Sequence, residues 1–336
     1  MFKHSCGPCA QKGFSARYIN RGGEQTFAQP NTSTQSLLYA FVLEGAFSNL
    51  QQLCDRYLNT PAQGRVHYRP AMPFVLVTFG QNPELRSQDP EQKNIGFVSE
   101  NEVAIWLLTM AGHQIGPFFW IDHLAWFMPY LFVDSSYAMA TGREVYGYPK
   151  EWGWLDVPSK EQPLDRLSVE ADVFETFSPE TPAMRKPVIM VERMDRDRPS
   201  HLPRQWRSHQ QGVEAIATKL LGHKRDIPIP GAGVDAQLIL GLLTGAVPFV
   251  YLKQFRDIHD GRKPCYQAIV EANTDLKRFH GGGLLSHPFN MRINNFASHP
   301  IVSELGLGSY TPSIKLACWL EFDFLLAKGK EIIRIV

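Results

Sequence analysis

Residues 140–154 read Ala140-Thr141-Gly142-Arg143-Glu144-Val145-Tyr146-Gly147-Tyr148-Pro149-Lys150-Glu151-Trp152-Gly153-Trp154. Gly142, Gly147 and Pro149 impose an irregular backbone. Aromatic residues stand on both sides of a single lysine, Lys150. A lysine with an ordinary pKa of about 10.4 is an ammonium at neutral pH and no nucleophile. Apolar surroundings disfavour the charged form, so a lysine walled by Tyr148, Trp152 and Trp154 is a candidate activated amine that captures a carbonyl as a Schiff base. The alternative is a lysine whose stem lies on the rings while its head stays in water. The residues by themselves leave both readings open.

Outward from this stretch the apolar runs are short and strand-like. Leu37 to Leu43, Phe74 to Phe79, Glu102 to Leu108, Leu124 to Val133, Val188 to Val191, Asn290 to Phe296 and Ile314 to Leu326 predict strands. Helices are expected over Phe47 to Leu58 and Gln211 to Leu221, and loops over Pro83 to Lys93 and Arg193 to Arg207. Phe249 to Ile258, Asp260-Gly261 and Cys265 to Thr274 read as a hairpin, with Gly261 supplying a positive φ at the turn. Gly281-Gly282-Gly283 reads as a flexible turn, since no Lys-Ser/Thr follows to make a phosphate loop. Many strands, few helices and no regular alternation predict a mainly β domain closed into a barrel or sandwich, because an open sheet edge invites aggregation. Residues 1–35 read as an irregular arm, and 36–336 as one domain.

Composition narrows the function. The chain has 336 residues, 34 basic and 33 acidic, for a net charge of +1. That balance argues against a nucleic-acid binder, which needs a concentrated basic footprint. Ala236 to Leu252 is the best candidate membrane span, but polar residues, glycines and Pro248 interrupt it, and Asp122 and His123 break Phe118 to Val133. With no apolar leader at the N-terminus, the expected compartment is the cytoplasm. Five cysteines are too few for a disulfide scaffold. Cys6-Gly7-Pro8-Cys9 copies a redox dithiol but lacks the preceding strand that chemistry needs, and zinc binding with His4 is an equally weak reading. Cys54, Cys265 and Cys318 lie in apolar patterns and are expected in the core. No metal-ligand spacing or Gly-x-Ser-x-Gly elbow is present.

Gly142-Arg143-Glu144 followed by Gly147-Tyr148-Pro149-Lys150 resembles the signature of the acetoacetate decarboxylase family, in which the lysine after the proline forms the imine with substrate. The approach through Val133-Asp134-Ser135, the hairpin from Val247 to Thr274, the segment Pro288 to Leu305 and the strand Ile314 to Leu326 extend the resemblance over roughly residues 36–330. It implies a closed β-barrel or cone with peripheral helices, a pocket inside it, no cofactor or metal, and a homo-oligomer. It also implies an acidic residue at the start of the preceding strand, where Glu100 stands with Glu102 as the alternative.

Two departures bear on mechanism. The family's second lysine is Glu151 here. A carboxylate near the amine favours its charged form, unless alternation along an extended segment turns it away. The family's early-strand arginine falls at Gln35 or Ser36, and nothing shows Arg17 or Arg21 reaching the pocket. Arg143 and Arg292 are candidates for binding a substrate carboxylate, with ordinary turn and surface roles as the alternatives.

The implied activity is a Schiff-base lyase that decarboxylates a small β-keto acid through Lys150, with Glu100 moving a proton or orienting substrate. Tyr148, Trp152 and Trp154 would supply the apolar wall. Aldol or dehydratase chemistry on pyruvate-like oxo acids is the second reading, and a non-catalytic ligand-binding barrel the third.

Overall fold

The computed structural model describes residues 17–20, 26–197, 202–221 and 247–336. Cys6, Cys9, Arg21 and residues 236–246 of the apolar run lie outside the described residues. Strands dominate. β1 (Asn31–Glu44), β2 (His67–Ser87), β3 (Val98–Ile115) and β4 (Phe118–Val133) are long antiparallel neighbours. The ten-stranded sheet continues through β9 (Phe249–Arg256), β10 (Pro264–Ala272) and β14 (Lys330–Arg334) on one side. On the other side lie β13 (Ile314–Leu326) and β11 (Thr274–Leu284), and β5 (Lys150–Trp152) pairs with β4. A second, four-stranded sheet runs β12 (Phe289–Ile293), β8 (Met184–Arg193), β7 (Arg166–Val173), β6 (Trp154–Asp156).

The central part of the large sheet is buried on both faces, which is why its strands read there as unbroken apolar runs rather than as alternating ones, whereas the far end of the β3–β4 pair, with Phe118 and Trp120, is exposed. Successive side chains point to opposite faces. Leu37, Tyr39, Phe41 and Leu43 of β1, with Val75, Val77, Val103 and Ile105, belong to the main core. That core also takes in Val169, Ile189 and Val191 of the second sheet, and residues of the helices α1 (Phe47–Cys54) and α5 (Ile301–Leu305). The alternate residues, Leu38, Ala40, Val42, Leu76, Thr78, Glu102 and Trp106, line cavities on the other face. Here the helical segments are α3 (Ser136–Thr141) and α4 (His209–Leu221). After α1 the chain widens into a π-helical turn (Asp55–Asn59) and ends in α2 (Thr60–Ala62).

The expected barrel closure is not there. The sheet is open, with β11 and β14 at its two ends. Each edge is protected in another way. The segment 203–206 lies along β11: the amides of Gln205 and Trp206 both donate to the Gly282 carbonyl at 2.9 Å, and Arg204 donates to the carbonyl of His280. β14 is five residues long and carries Lys330 and Arg334, and short, charged edges resist further pairing. Gly281-Gly282-Gly283 is therefore not a flexible turn. It lies within β11, where a β-carbon on Gly283 would come within 2.0 Å of the Pro203 carbonyl oxygen.

Other boundaries moved. β2 runs on to Ser87, through much of the expected loop, because its polar residues still pair with β1 up to Asn31. The β9–β10 hairpin forms as read, but Gly261 is not in the left-handed region. Its turn is organised by the Asp257 carboxylate, which accepts the amides of His259 (2.7 Å) and Asp260 (3.1 Å). Cys54 and Cys318 are buried, whereas Cys265 is exposed at the strand end near that turn. Among the described residues no helix is long and apolar enough to cross a membrane.

Candidate active site

Lys150 opens β5, whose parallel register sets it beside Leu131 and Glu151 beside Phe132. The approach is built locally. Ser135 caps α3 by accepting the Ala138 amide at 3.3 Å. A π-helical turn (Gly142–Tyr146) follows and stops at Gly147, whose φ of 84° a residue with a side chain rarely adopts. The amides of Gly147 and Tyr148 both return to the Gly142 carbonyl, at 2.9 and 3.0 Å. Gly142 answers to a second constraint. A β-carbon there would lie 2.5 Å from Cδ of Lys150, so the lysine stem crosses the space that glycine leaves empty.

The amine is buried, its side chain 9% exposed, and donates to Glu100 Oε1 at 2.5 Å. The Tyr148 ring centroid is 5.7 Å from Nζ. Glu102 shares Glu100's face of β3, two residues on, and lines the same pocket. Burial, reinforced by the negative charge of Glu100, pushes its carboxyl up from 4.5 to about 7, against the opposing pull of Lys150. Gly80 makes room for it, since a β-carbon there would lie 2.9 Å from Glu102 Cγ. A neutral amine here needs a proton transfer within this cluster.

The cavity around these groups has a volume of about 140 Å³. Trp106, Tyr146, Tyr148, Phe249, Phe322 and Phe324 supply most of its aromatic wall. Phe27, from the expected irregular arm, joins them. It stacks on Tyr137 at 5.5 Å and donates its amide to Thr141 Oγ1 at 3.0 Å. Among the described lining residues Lys150 is the one cation, and Glu100 and Glu102 are the two acids.

Four residues expected to bind substrate lie elsewhere. Trp152 ends β5 beside Val133 and is 42% exposed. Trp154 lies past Gly153 on β6, in the other sheet, under the Arg185 guanidinium at 4.4 Å. Arg143 is exposed and donates to the Lys150 carbonyl at 3.0 Å, so it braces the lysine's backbone. Arg292 is exposed on β12 and donates to Asn294 Oδ1 at 3.1 Å. Tyr148, Lys150 and Glu100 do meet in the pocket, and so does the alternative acid, Glu102.

Both departures resolve geometrically. Glu151 faces away from the pocket and lies 2.9 Å from Nε2 of the buried His299, whose Nδ1 is 2.8 Å from Ser298 Oγ. Ser36 lines the pocket where the resemblance calls for arginine, while Gln35 sits in a bulge at φ 54° and donates its amide to Asp323 at 2.7 Å. Arg17 is exposed. The remote wall residues escaped the sequence reading, although Phe322 and Phe324 stand at the i, i+2 spacing that marks one face of a strand.

No protein-family model matches the sequence, and no curated protein matches it. Solved structures do. Acetoacetate decarboxylase from Legionella pneumophila is similar with a TM-score of 0.58 at 14% identity, over 96% of this chain and 94% of that one. The enduracididine biosynthesis enzyme MppR, solved with the condensation product of pyruvate and imidazole 4-carboxaldehyde, is similar with a TM-score of 0.53 at 12% identity, over 92% of each chain. An acetoacetate decarboxylase-like enzyme from Sphingomonas wittichii RW1 gives 0.53 at 12% identity, over 96% of this chain and all of that one. At such identities the likeness speaks for architecture, and this chain has the fold of the acetoacetate decarboxylase-like superfamily.

Proposed function

We propose that this chain is a Schiff-base-forming carbon–carbon lyase acting on an oxo acid. The observation that carries the reading is the buried amine of Lys150 facing Glu100 and Glu102 in an aromatic-walled pocket. The Nζ proton passes to Glu100, and the free amine attacks the ketone carbon. Loss of water leaves an iminium ion. In a β-keto acid the bond from the α-carbon to the carboxylate then breaks. Its electron pair flows to nitrogen, releasing carbon dioxide and an enamine. Glu102, protonated below about pH 7, returns a proton to the α-carbon, and water hydrolyses the imine. Decarboxylation suits this pocket because the substrate carboxylate meets no second cation among the described lining residues, and leaving as carbon dioxide removes a buried charge.

One observation favours a second reading. A carboxyl titrating near 7 both takes and returns protons at neutral pH, which aldol condensation or dehydration of a pyruvate-like iminium requires at every turnover. Borohydride reduction with acetoacetate or pyruvate, followed by peptide mass spectrometry, tests the common step. An adduct on Lys150 supports it. The absence of any adduct across a panel of oxo acids overturns it and leaves a ligand-binding protein. Carbon dioxide release against condensation product separates the two reactions.

A further inference from the structure

A second cavity of about 180 Å³ adjoins the lysine pocket. Leu38, Trp106, Phe249, Thr274, Phe322 and Phe324 border both, so the two cavities lie side by side and share a wall of side chains. Strand register lays them end to end. The cross-strand row Leu38–Gly80–Glu102 bounds the lysine pocket. The next row, Cys318–Ala40–Thr78, bounds the second chamber, followed by Val42–Leu76–Trp106. The chamber exists because three adjacent strands put small residues side by side at Cys318, Ala40 and Thr78. The Thr78 hydroxyl is already spent on the Ala104 carbonyl at 3.3 Å. Among the described residues no lysine, arginine, aspartate or glutamate lines this chamber, and the one ionisable ring is His209 at the start of α4.

We infer that the second chamber holds an apolar chain of the substrate, so that Lys150 acts on an oxo acid or ketone with an unbranched hydrocarbon tail rather than on one as short as acetoacetate. The inference rests on the imine reading above for the place of the carbonyl, and adds where the rest of the molecule lies. Apolar cavities of about 150 Å³ stay dry and take up benzene, so this chamber suits a tail on the order of six carbons. The unpartnered polar atoms of the lining, Trp106 Nε1 and Thr274 Oγ1, sit on the wall shared with the lysine pocket, and beyond them the walls offer water little, whereas each buried methylene favours binding by about fourfold.

The test is the half-saturating concentration for borohydride trapping on Lys150 along the series acetoacetate, 3-oxohexanoate, 3-oxooctanoate and 3-oxodecanoate. It is expected to fall by about fourfold per methylene until the chamber is full. A flat series overturns the tail inference and leaves the imine reading standing. Calorimetric titration of the Lys150→Ala protein with methyl ketones of four to nine carbons reads the chamber without any imine. Chain-length dependence there supports the tail even if no adduct forms in the native protein, and its absence counts against the chamber alone. Ala40→Leu fills the second chamber and should abolish the gain for long chains while acetoacetate trapping is unchanged. Ile216→Trp, on α4 and partly exposed, fills the same space from the helix side and serves if the first variant does not fold.

Discussion

The stem of Lys150 passes 2.5 Å from the point where a β-carbon on Gly142 would stand, and its Cε passes at 2.9 Å. The glycine of the Gly-Arg-Glu element and the lysine eight residues on are therefore parts of one packing arrangement. Gly142→Ala should slow borohydride trapping on Lys150 by about 100-fold, the effect of moving a reacting group by an ångström. Helix propensity alone would make the same change stabilising by about 1 kcal/mol, because Gly142 has helical dihedrals. A variant with raised thermal stability and native trapping would refute the packing account.

Glu102 makes stability depend on pH. Its folded pKa of about 7 lies above the ordinary 4.5, so the folded state binds this proton more tightly than the unfolded one. The contribution is fully present below pH 4.5 and is lost as pH rises through 7. Glu102→Gln cannot lose a proton, so relative to the native protein it should gain stability at pH 8 and gain none at pH 4.5. Denaturant midpoints at the two pH values measure the difference, expected to be a few kcal/mol at most.

Glu151 stands where the sequence resemblance calls for a second lysine, but its side chain is turned towards His299. Glu151→Lys should therefore leave the pH profile of trapping unchanged, because the new ammonium would lie on the wrong side of β5. It should cost about 1–3 kcal/mol of stability, since buried His299 loses its acceptor. A trapping profile displaced to lower pH would mean that residue 151 reaches the amine after all.

Arg143 braces the lysine through the Lys150 carbonyl and stays outside the pocket. Arg143→Ala should lower kcat by severalfold with KM for the oxo acid unchanged, at a stability cost of about 1 kcal/mol or less for so exposed a group. A rise in KM with kcat intact would assign it to the substrate carboxylate instead.

Of the three aromatic residues read from the motif, Tyr148 alone stands by the amine. Tyr148→Leu should impair trapping strongly, whereas Trp152→Ala, at 42% exposure, should not. Equal losses from both would mean that the lysine's surroundings differ from those described.

Much of the large sheet was legible in the apolar runs, because strands buried on both faces need hydrophobic residues at every position. Their lengths were not. The ends of β2 and β3 are polar and are held by backbone pairing, which leaves little trace in composition. Lys150 stood out from its local punctuation, whereas Glu100, with Glu102 as its alternative, was named only through the family resemblance. The walls of the pocket were not, since Phe27, Phe249, Phe322 and Phe324 come from distant segments whose apolar character serves equally well for any core. Barrel closure was inferred from the hazard of free edges, and the chain meets that hazard by laying residues 203–206 along β11 and keeping β14 short.

The order of residues determined the strand-rich architecture, the irregular turn around Gly142 and Gly147, and the identity of the one lysine in that turn. Those follow from short-range sterics and from side-chain alternation, which act over a few residues. What surrounds the amine was decided by the tertiary structure. The Lys150–Glu100 pair spans 50 positions and the Glu151–His299 pair 148. Partners so far apart meet only through strand register, and register settles which face of a strand each side chain occupies.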